Sequence, residues 1–391
     1  MFTRVLTSKL VERLHEPRRF IQIVTGPRQT GKTTAVIQAL EKLSLPQRFV
    51  SADDPNLVSA EWLRNEWEQA RVQAKTGEAI LAIDEIQKIG NWSSIVKLMW
   101  DEDSRTHLPL KVVITGSSSL LLQKGLTESL MGRFEILHSS HWSYAECKEA
   151  FGYNLDDFLF FGGYPGASNL IHDENRWARY MGDAIVEPTI SQDIFLMEEV
   201  RKPVLLRTLF VLGSGYSAQE LSYTKILGQL QDAGNTVTLA HYLHLLGRAG
   251  MLAGLQNYAG NQIRIRSSSP KFMVYDTSLM TYANGTNRRR FLDNPTDRGR
   301  LIESAVGAFL LARGVDEGFE VHWWRKRNSE VDFVINKGNR LTAIEVKSGR
   351  VKHVGGSLSF KNLYPQALSL VIGSANCRLE DFLSGEVPLF L

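Results

Sequence analysis

The sequence predicts an α/β protein with a parallel sheet core, a helical and winged-helix middle, and a further α/β part at the C-terminal end. Two observations carry the core. Gly26-Pro27-Arg28-Gln29-Thr30-Gly31-Lys32-Thr33 fits the pattern G-x-x-x-x-G-K-[ST] and stands between an apolar run and a helix-like stretch. Further apolar runs of strand length follow, and one of them ends in the acidic pair Asp84-Glu85.

Taken in order, residues 5–15 place Leu6, Leu10, Val11 and Leu14 on one helix face. Residues 20–25 read as a buried strand, and residues 34–40 carry apolar side chains at helical spacing. Between them, two glycines let the backbone curl so that its N–H groups point at an anion. The helix start adds unpaired N–H groups and the positive end of its dipole. Lys32 is placed to reach the β- and γ-phosphates of a nucleoside triphosphate, and the Thr33 hydroxyl to ligate Mg²⁺. Residues 26–34, with Thr34 at the helix start, are the expected binding segment for ATP and Mg²⁺.

Residues 48–51 read as a second strand, and Asp53-Asp54-Pro55 opens a polar, Trp-containing helix over residues 58–75. Residues 79–83 form a third strand. Asp84 at its end would hold Mg²⁺ through water, opposite Thr33. Glu85 is placed to polarise a water for attack on the γ-phosphate. A solvated loop or helix cap is the usual fate of such a pair, but this one terminates an apolar strand downstream of the glycine loop. Residues 110–116 make a fourth strand, expected to lie between the other two. Thr115 and Ser117 are its candidates for a polar contact to the γ-phosphate, although Ser117-Ser118-Ser119 reads equally as a cap for Leu120-Leu121-Leu122. Gly132-Arg133-Phe134 precedes a fifth strand at 135–137. Arg133 is either an arginine finger for a neighbouring subunit's phosphate or a surface arginine.

This order of motifs resembles the AAA-type ATPases of the bacterial and archaeal family that joins an ATPase to a DUF4143 domain. The resemblance rests on the loop, on Ile83-Asp84-Glu85-Ile86-Gln87, on the Thr-Gly-Ser-Ser-Ser strand end and on the following Gly-Arg. Phe161-Gly162-Gly163-Tyr164-Pro165 resembles the Gly-Gly-aromatic-Pro segment those proteins carry after the ATPase core. It implies an AAA-like core with helices on both faces, a helical and winged-helix middle, and a C-terminal domain of restriction-endonuclease-like fold. The expected division is 1–155, 156–275 and 276–391.

Composition agrees with a globular chain of that size. It has 391 residues, 43% hydrophobic and 22% charged, enough for two or three domains. No apolar run approaches bilayer length, so no membrane partner is expected. The N-terminus lacks the apolar core of a signal peptide, and Cys147 and Cys377 lie too far apart to suggest a disulfide framework or a zinc site. A cytoplasmic location is the expectation. Net charge is only +3, but residues 285–352 hold 14 Lys and Arg against 9 Asp and Glu. Such a segment suits a phosphate backbone or a solvated surface.

In the middle, helix-sized pieces at 204–213, 223–232 and 238–246 precede alternating strands at 251–255 and 263–266, which together spell a winged helix. Its third helix offers His241, His244 and Arg248. They would serve DNA binding poorly, and packing against the same chain or a neighbour is the other use. Further on, residues 300–313 read as an apolar helix carrying Glu303. Asp332 and Glu345 each interrupt an apolar strand, and Lys347 follows two residues after Glu345 on the same strand face. That is how nucleases of the PD-(D/E)xK kind build a site. Asp332 and Glu345 would bind Mg²⁺, Glu303 would add a third carboxylate, and Lys347 would orient the attacking water. The alternative is a structural ion pair of Glu345 with Lys347 or Arg327. The expected partners are copies of the same chain and nucleic acid, DNA ahead of RNA, or else a protein docked on an inactive nuclease fold.

Overall fold

A computed structural model describes residues 2–53, 59–116, 129–195, 200–229, 235–260, 269–285, 287–347 and 355–390. The chain divides into two compact units, one ending at Ser140 and one starting at His141.

In the first unit, strands β1 (Ile21–Thr25), β2 (Gln47–Ser51), β3 (Ala79–Asp84), β4 (Leu110–Gly116) and β5 (Phe134–His138) are all parallel, in the order β2-β3-β4-β1-β5. β1, β3 and β4 are buried along their whole length, which is why they read as continuous apolar runs rather than as alternating ones. On one face Ile21, Ile23, Leu81, Ile83, Val112 and Ile114 pack against helices α3 (Ala60–Ala74) and α4 (Trp92–Arg105). On the other, Val24, Ile80, Ala82 and Val113 meet α1 (Val5–His15) and α2 (Lys32–Glu41) through Leu10, Leu14, Val36 and Ala39. As expected, β4 lies between β1 and β3. Asp54-Pro55, Ser117 and the serines and leucines after it lie outside the described residues.

The second unit opens with helices, among them one from Glu174 that widens into π-helical turns on either side of Pro188. A three-stranded antiparallel sheet follows, ordered β6 (Gln219–Glu220), β8 (Lys271–Val274), β7 (Leu252–Leu255). The helices Pro203–Gly215, Tyr223–Gln229 and Thr236–Arg248 accompany it. β7 falls where the first wing strand was expected, but its partner is β8. The expected second strand, at 263–266, lies outside the described residues. β8 is fully buried, so it lacks the alternation expected of a wing strand.

Beyond it, the long helix Pro295–Glu317 leads into β9 (Glu320–Lys326), β10 (Ser329–Lys337) and β11 (Arg340–Val346), an antiparallel meander. The helix Gly355–Leu363 then returns the chain to β12 (Leu368–Ile372), parallel to β11. One apolar cluster joins Leu255 and Met273 to Val306, Trp323, Phe333 and Ile344, so residues 156–275 and 276–391 fall together in this unit. Cys147 and Cys377 are both buried, and neither forms a disulfide among the described residues. Among the described residues, no helix is long and apolar enough to cross a membrane.

The Gly162-Gly163 pair has a local cause. Gly162 sits at φ +68, and a Cβ there would stand 1.8 Å from Asp276 Oδ1. Asp276 caps the helix Thr277–Ala283, accepting from the Ser278 N–H at 3.0 Å, and also accepts from the Gly163 N–H at 2.7 Å. Complete burial pushes its carboxyl up to about 6, and those donors hold it back from rising further. Asp276→Ala should therefore leave two buried N–H groups without acceptors and cost about 2–4 kcal/mol of stability. Asp276→Asn, which keeps one acceptor oxygen, should lose less. Urea unfolding of the three proteins side by side checks the order.

Candidate functional site

The loop of residues 26–33 leaves β1 and turns into α2, whose N-cap is Gly31 at φ +84. The backbone is packed tightly here: a Cβ on Gly26 would stand 2.1 Å from the Ser139 carbonyl oxygen. Ser139, just past β5, donates its N–H to the Thr25 carbonyl at 2.7 Å, and its hydroxyl lies 2.9 Å from that of Thr30. Arg4, the N-cap of α1, donates to the Thr30 carbonyl at 2.9 Å and to the Ser139 hydroxyl at 3.2 Å. The loop is thus pinned by groups far away in sequence.

Lys32 is buried, and its ammonium donates to the carbonyls of Pro27 at 2.6 Å and Gly26 at 3.1 Å. The Thr33 hydroxyl donates to Asp84 Oδ2 at 3.0 Å, and the Thr115 hydroxyl donates to the other carboxylate oxygen, Oδ1. Asp84 itself is 4% exposed. The structure therefore brings together Thr33, Asp84 and Thr115, from the ends of three different elements. Hydroxyl and carboxylate oxygens are hard donors of the kind Mg²⁺ takes, and a lysine in a glycine loop suits a phosphate, so these residues fit both ligands.

Glu85 follows in the left-handed region at φ +53, an uncommon conformation for a side chain of its size, and its carboxylate accepts from the Gln87 amide at 2.6 Å. Pro27 and Arg28 are half-buried, whereas Gln29, at φ +56, and Thr34 are exposed. Ser117 lies outside the described residues. Arg133 forks onto Asp101 of α4, at 2.7 Å through Nε and 3.0 Å through Nη2, and this pairing lowers the Asp101 carboxyl.

The C-terminal carboxylates are placed differently. A bulge between Val331 and Val334 interrupts the pairing of β10 with β9 around Asp332, whose Oδ2 accepts the Val346 N–H of β11 at 2.7 Å. Glu345 is 3% exposed, accepts the Ser357 N–H at 2.7 Å and lies 3.0 Å from the Lys347 ammonium. Glu303 of the long helix pairs with Lys271, which is 2% exposed. Burial pushes Glu303 up to about 7 against the pull of Lys271, and it raises Asp332 as well. Burial alone would lower Lys271, but Glu303, Asp332 and Glu330 raise it above the ordinary lysine value, so it stays charged.

The carboxylates expected to hold a metal, Asp332 and Glu345 with Glu303 as the third, are each engaged with another group of the protein. Among the described residues, no group of three or more His, Cys, Asp and Glu is placed to hold a metal ion. Glu303 pairs with Lys271, Glu345 with Lys347 and the Ser357 N–H, and Asp332 with the Val346 N–H.

Sequence reasoning missed Arg4, Ser139 and Lys271. The first two carry no pattern. Lys271 leaves a weak signal, a lysine heading the apolar run Lys271-Phe272-Met273-Val274.

Comparison with known proteins places an AAA domain at residues 18–148, a domain of unknown function (DUF8612) at 152–290, and another (DUF4143) at 298–387. The uncharacterized protein MJ1544 of Methanocaldococcus jannaschii is 25% identical over 342 residues, covering 82% of this chain and 73% of that one. The uncharacterized protein Rv2008c of Mycobacterium tuberculosis is 25% identical over 358 residues, covering 91% and 76%. Among solved structures, the Walker-type ATPase PABY2304 of Pyrococcus abyssi is similar with a TM-score of 0.51 and 17% identity, over 73% of this chain and 96% of that one. The chain thus has the fold of a P-loop ATPase in its first unit.

Gly26→Ala should displace the loop, because the added carbon meets backbone and not a flexible side chain. Binding of a fluorescent ATP analogue should weaken by more than about tenfold, roughly 1.4 kcal/mol.

Proposed function

We propose that this chain binds Mg²⁺-ATP at residues 26–34 and hydrolyses it, as a switch or motor read by a partner. One observation carries the reading: Thr33, Asp84 and Thr115 meet at a glycine loop whose lysine is buried. Bound Mg²⁺ supplies positive charge against the phosphate oxygens. The chain's own part is to cradle the triphosphate with loop N–H groups and to orient it with Lys32. Thr33 and Asp84 hold the cation side, and Thr115 keeps Asp84 in place. Glu85 takes the proton of the attacking water once its contact with Gln87 opens. Arg133, held by Asp101 within its own chain, is either a surface arginine or a finger for a neighbouring copy's site, and as a finger it requires a homo-oligomer.

For residues 276–391, the succession of a helix, three antiparallel strands, a helix and a parallel strand supports a restriction-endonuclease-like fold. Its site residues are Glu303, Asp332, Glu345 and Lys347, and its polymer is nucleic acid, DNA ahead of RNA, acted on or sensed. Residues 1–155 then form the ATPase core and 156–275 the helical, winged-helix part. A second reading keeps the ATP-dependent switch but makes the C-terminal fold an inactive docking scaffold for a protein. It is favoured by the buried lysine among the carboxylates.

Steady-state ATP hydrolysis with Mg²⁺, alone and with single- and double-stranded DNA and RNA, tests both readings. Glu85→Gln should bind ATP as tightly as the natural chain and turn over about 100-fold or more slowly. Lys32→Ala should lose binding. Equal turnover in Glu85→Gln would sink the catalytic assignment. Stimulation by a nucleic acid selects the first reading, and indifference to every polymer selects the second.

A further inference from the structure

We infer that Lys271 is a built-in cation of the C-terminal carboxylate cluster and that it keeps this site closed to divalent metal. The inference rests on the restriction-endonuclease-like reading of β9–β12, and it separates the cleaving form of that reading from the docking form.

Lys271 does not come from the helix or sheet that would make a nuclease site. It stands at the start of β8, in the other sheet of the same unit, and is 2% exposed. Its ammonium is ion-paired with Glu303, 3.6 Å from Glu330 Oε1 and 3.5 Å from the Asp332 carbonyl oxygen. The Phe333 ring lies 5.5 Å away, close enough for its face to favour a cation. Two carboxylates and one backbone carbonyl thus engage a single buried positive charge.

Other oxygens of the cluster are engaged too. Asp332 Oδ2 accepts the Val346 N–H, while Glu345 accepts the Ser357 N–H through one oxygen and faces Lys347 with the other. A Cβ at Gly356 would stand 3.2 Å from Glu345 Oε1, so the start of the helix Gly355–Leu363 also closes on this carboxylate. A divalent ion entering here would meet a buried ammonium at short range, where like charges repel far more strongly than in water. Magnesium also gives up its waters reluctantly and needs several free oxygen ligands in a fixed geometry. While Lys271 holds Glu303, the third carboxylate of the cluster is taken by the ammonium.

The test uses the full chain without nucleotide, with Fe²⁺ plus ascorbate and peroxide to cut backbone beside bound metal and Mn²⁺ to measure affinity. In the natural chain, no cuts are expected near Asp332 or Glu345, and any cut near Asp84 is scored separately. Lys271→Met, checked for folding by circular dichroism, should gain cuts at both positions and bind Mn²⁺ there at least about tenfold more tightly. Cuts near Asp332 and Glu345 in the natural chain would overturn the inference. So would a folded Lys271→Met that binds Mn²⁺ no better. If Lys271→Met does not fold, Lys271→Arg, which keeps the charge, should remain free of cuts, and its cutting would equally overturn the inference. Failure of ATP hydrolysis would refute the first-unit reading and leave this result untouched.

Discussion

The carboxylate of Asp84, shared between the hydroxyls of Thr33 and Thr115, is the contact that ties the start of α2 to the ends of β3 and β4. It exists because β4 is inserted between β1 and β3. Two strand spacings, about 10 Å, then separate the end of β1 from the end of β3. The glycine loop uses that width to turn, and the first residues of α2 bring Thr33 back over the sheet edge to Asp84. The parallel register sets Val24 opposite Thr115 and Ile83 opposite Ile114, so the loop, the acid and the hydroxyl all emerge at one end. With β3 directly beside β1, Thr115 would lie on the far side of Asp84 and the loop would have half the width. Ligand sites in open parallel sheets lie at the carboxyl ends of strands for this reason.

Much of that unit was legible in the sequence. Residues 79–84 and 110–116 are apolar because both sheet faces are covered, and a covered strand cannot hide its pattern. Glycine at 26 is dictated by the carbonyl of Ser139, and the pattern records it. The groups that support the loop were not legible. Arg4 and Ser139 act on Thr30 through one backbone carbonyl and two hydroxyls, across 26 and 109 residues. Contacts of that kind leave no periodicity, because they depend on where two elements finish rather than on what either element is made of.

The second unit was legible in part for the same reasons. Asp332 and Glu345 announce themselves by interrupting apolar strands, which marks a buried polar group but not its partner. The partner of Glu303 is 32 residues upstream, on a strand in a different sheet. Likewise β7 is legible as a strand, whereas β8 is buried along its length and so does not alternate. The Gly-Gly segment, legible as a motif, acquires its cause only from Asp276, more than a hundred residues later.

The two units treat buried acids in opposite ways, and the difference bears on what each can hold. Asp84 is paired with hydroxyls, which donate hydrogen bonds and bring no net charge, so its negative charge remains available to a cation. Glu303 is paired with an ammonium, and Glu345 faces a second one. A buried carboxylate that already has an opposite charge gains little from another cation and must first lose its own. Asp84 lies beside a loop that invites anions, where an uncompensated acid would be costly unless a cation arrives with the ligand. In the second unit the cation is part of the fold, and its acids contribute to holding β8, β10 and the long helix together.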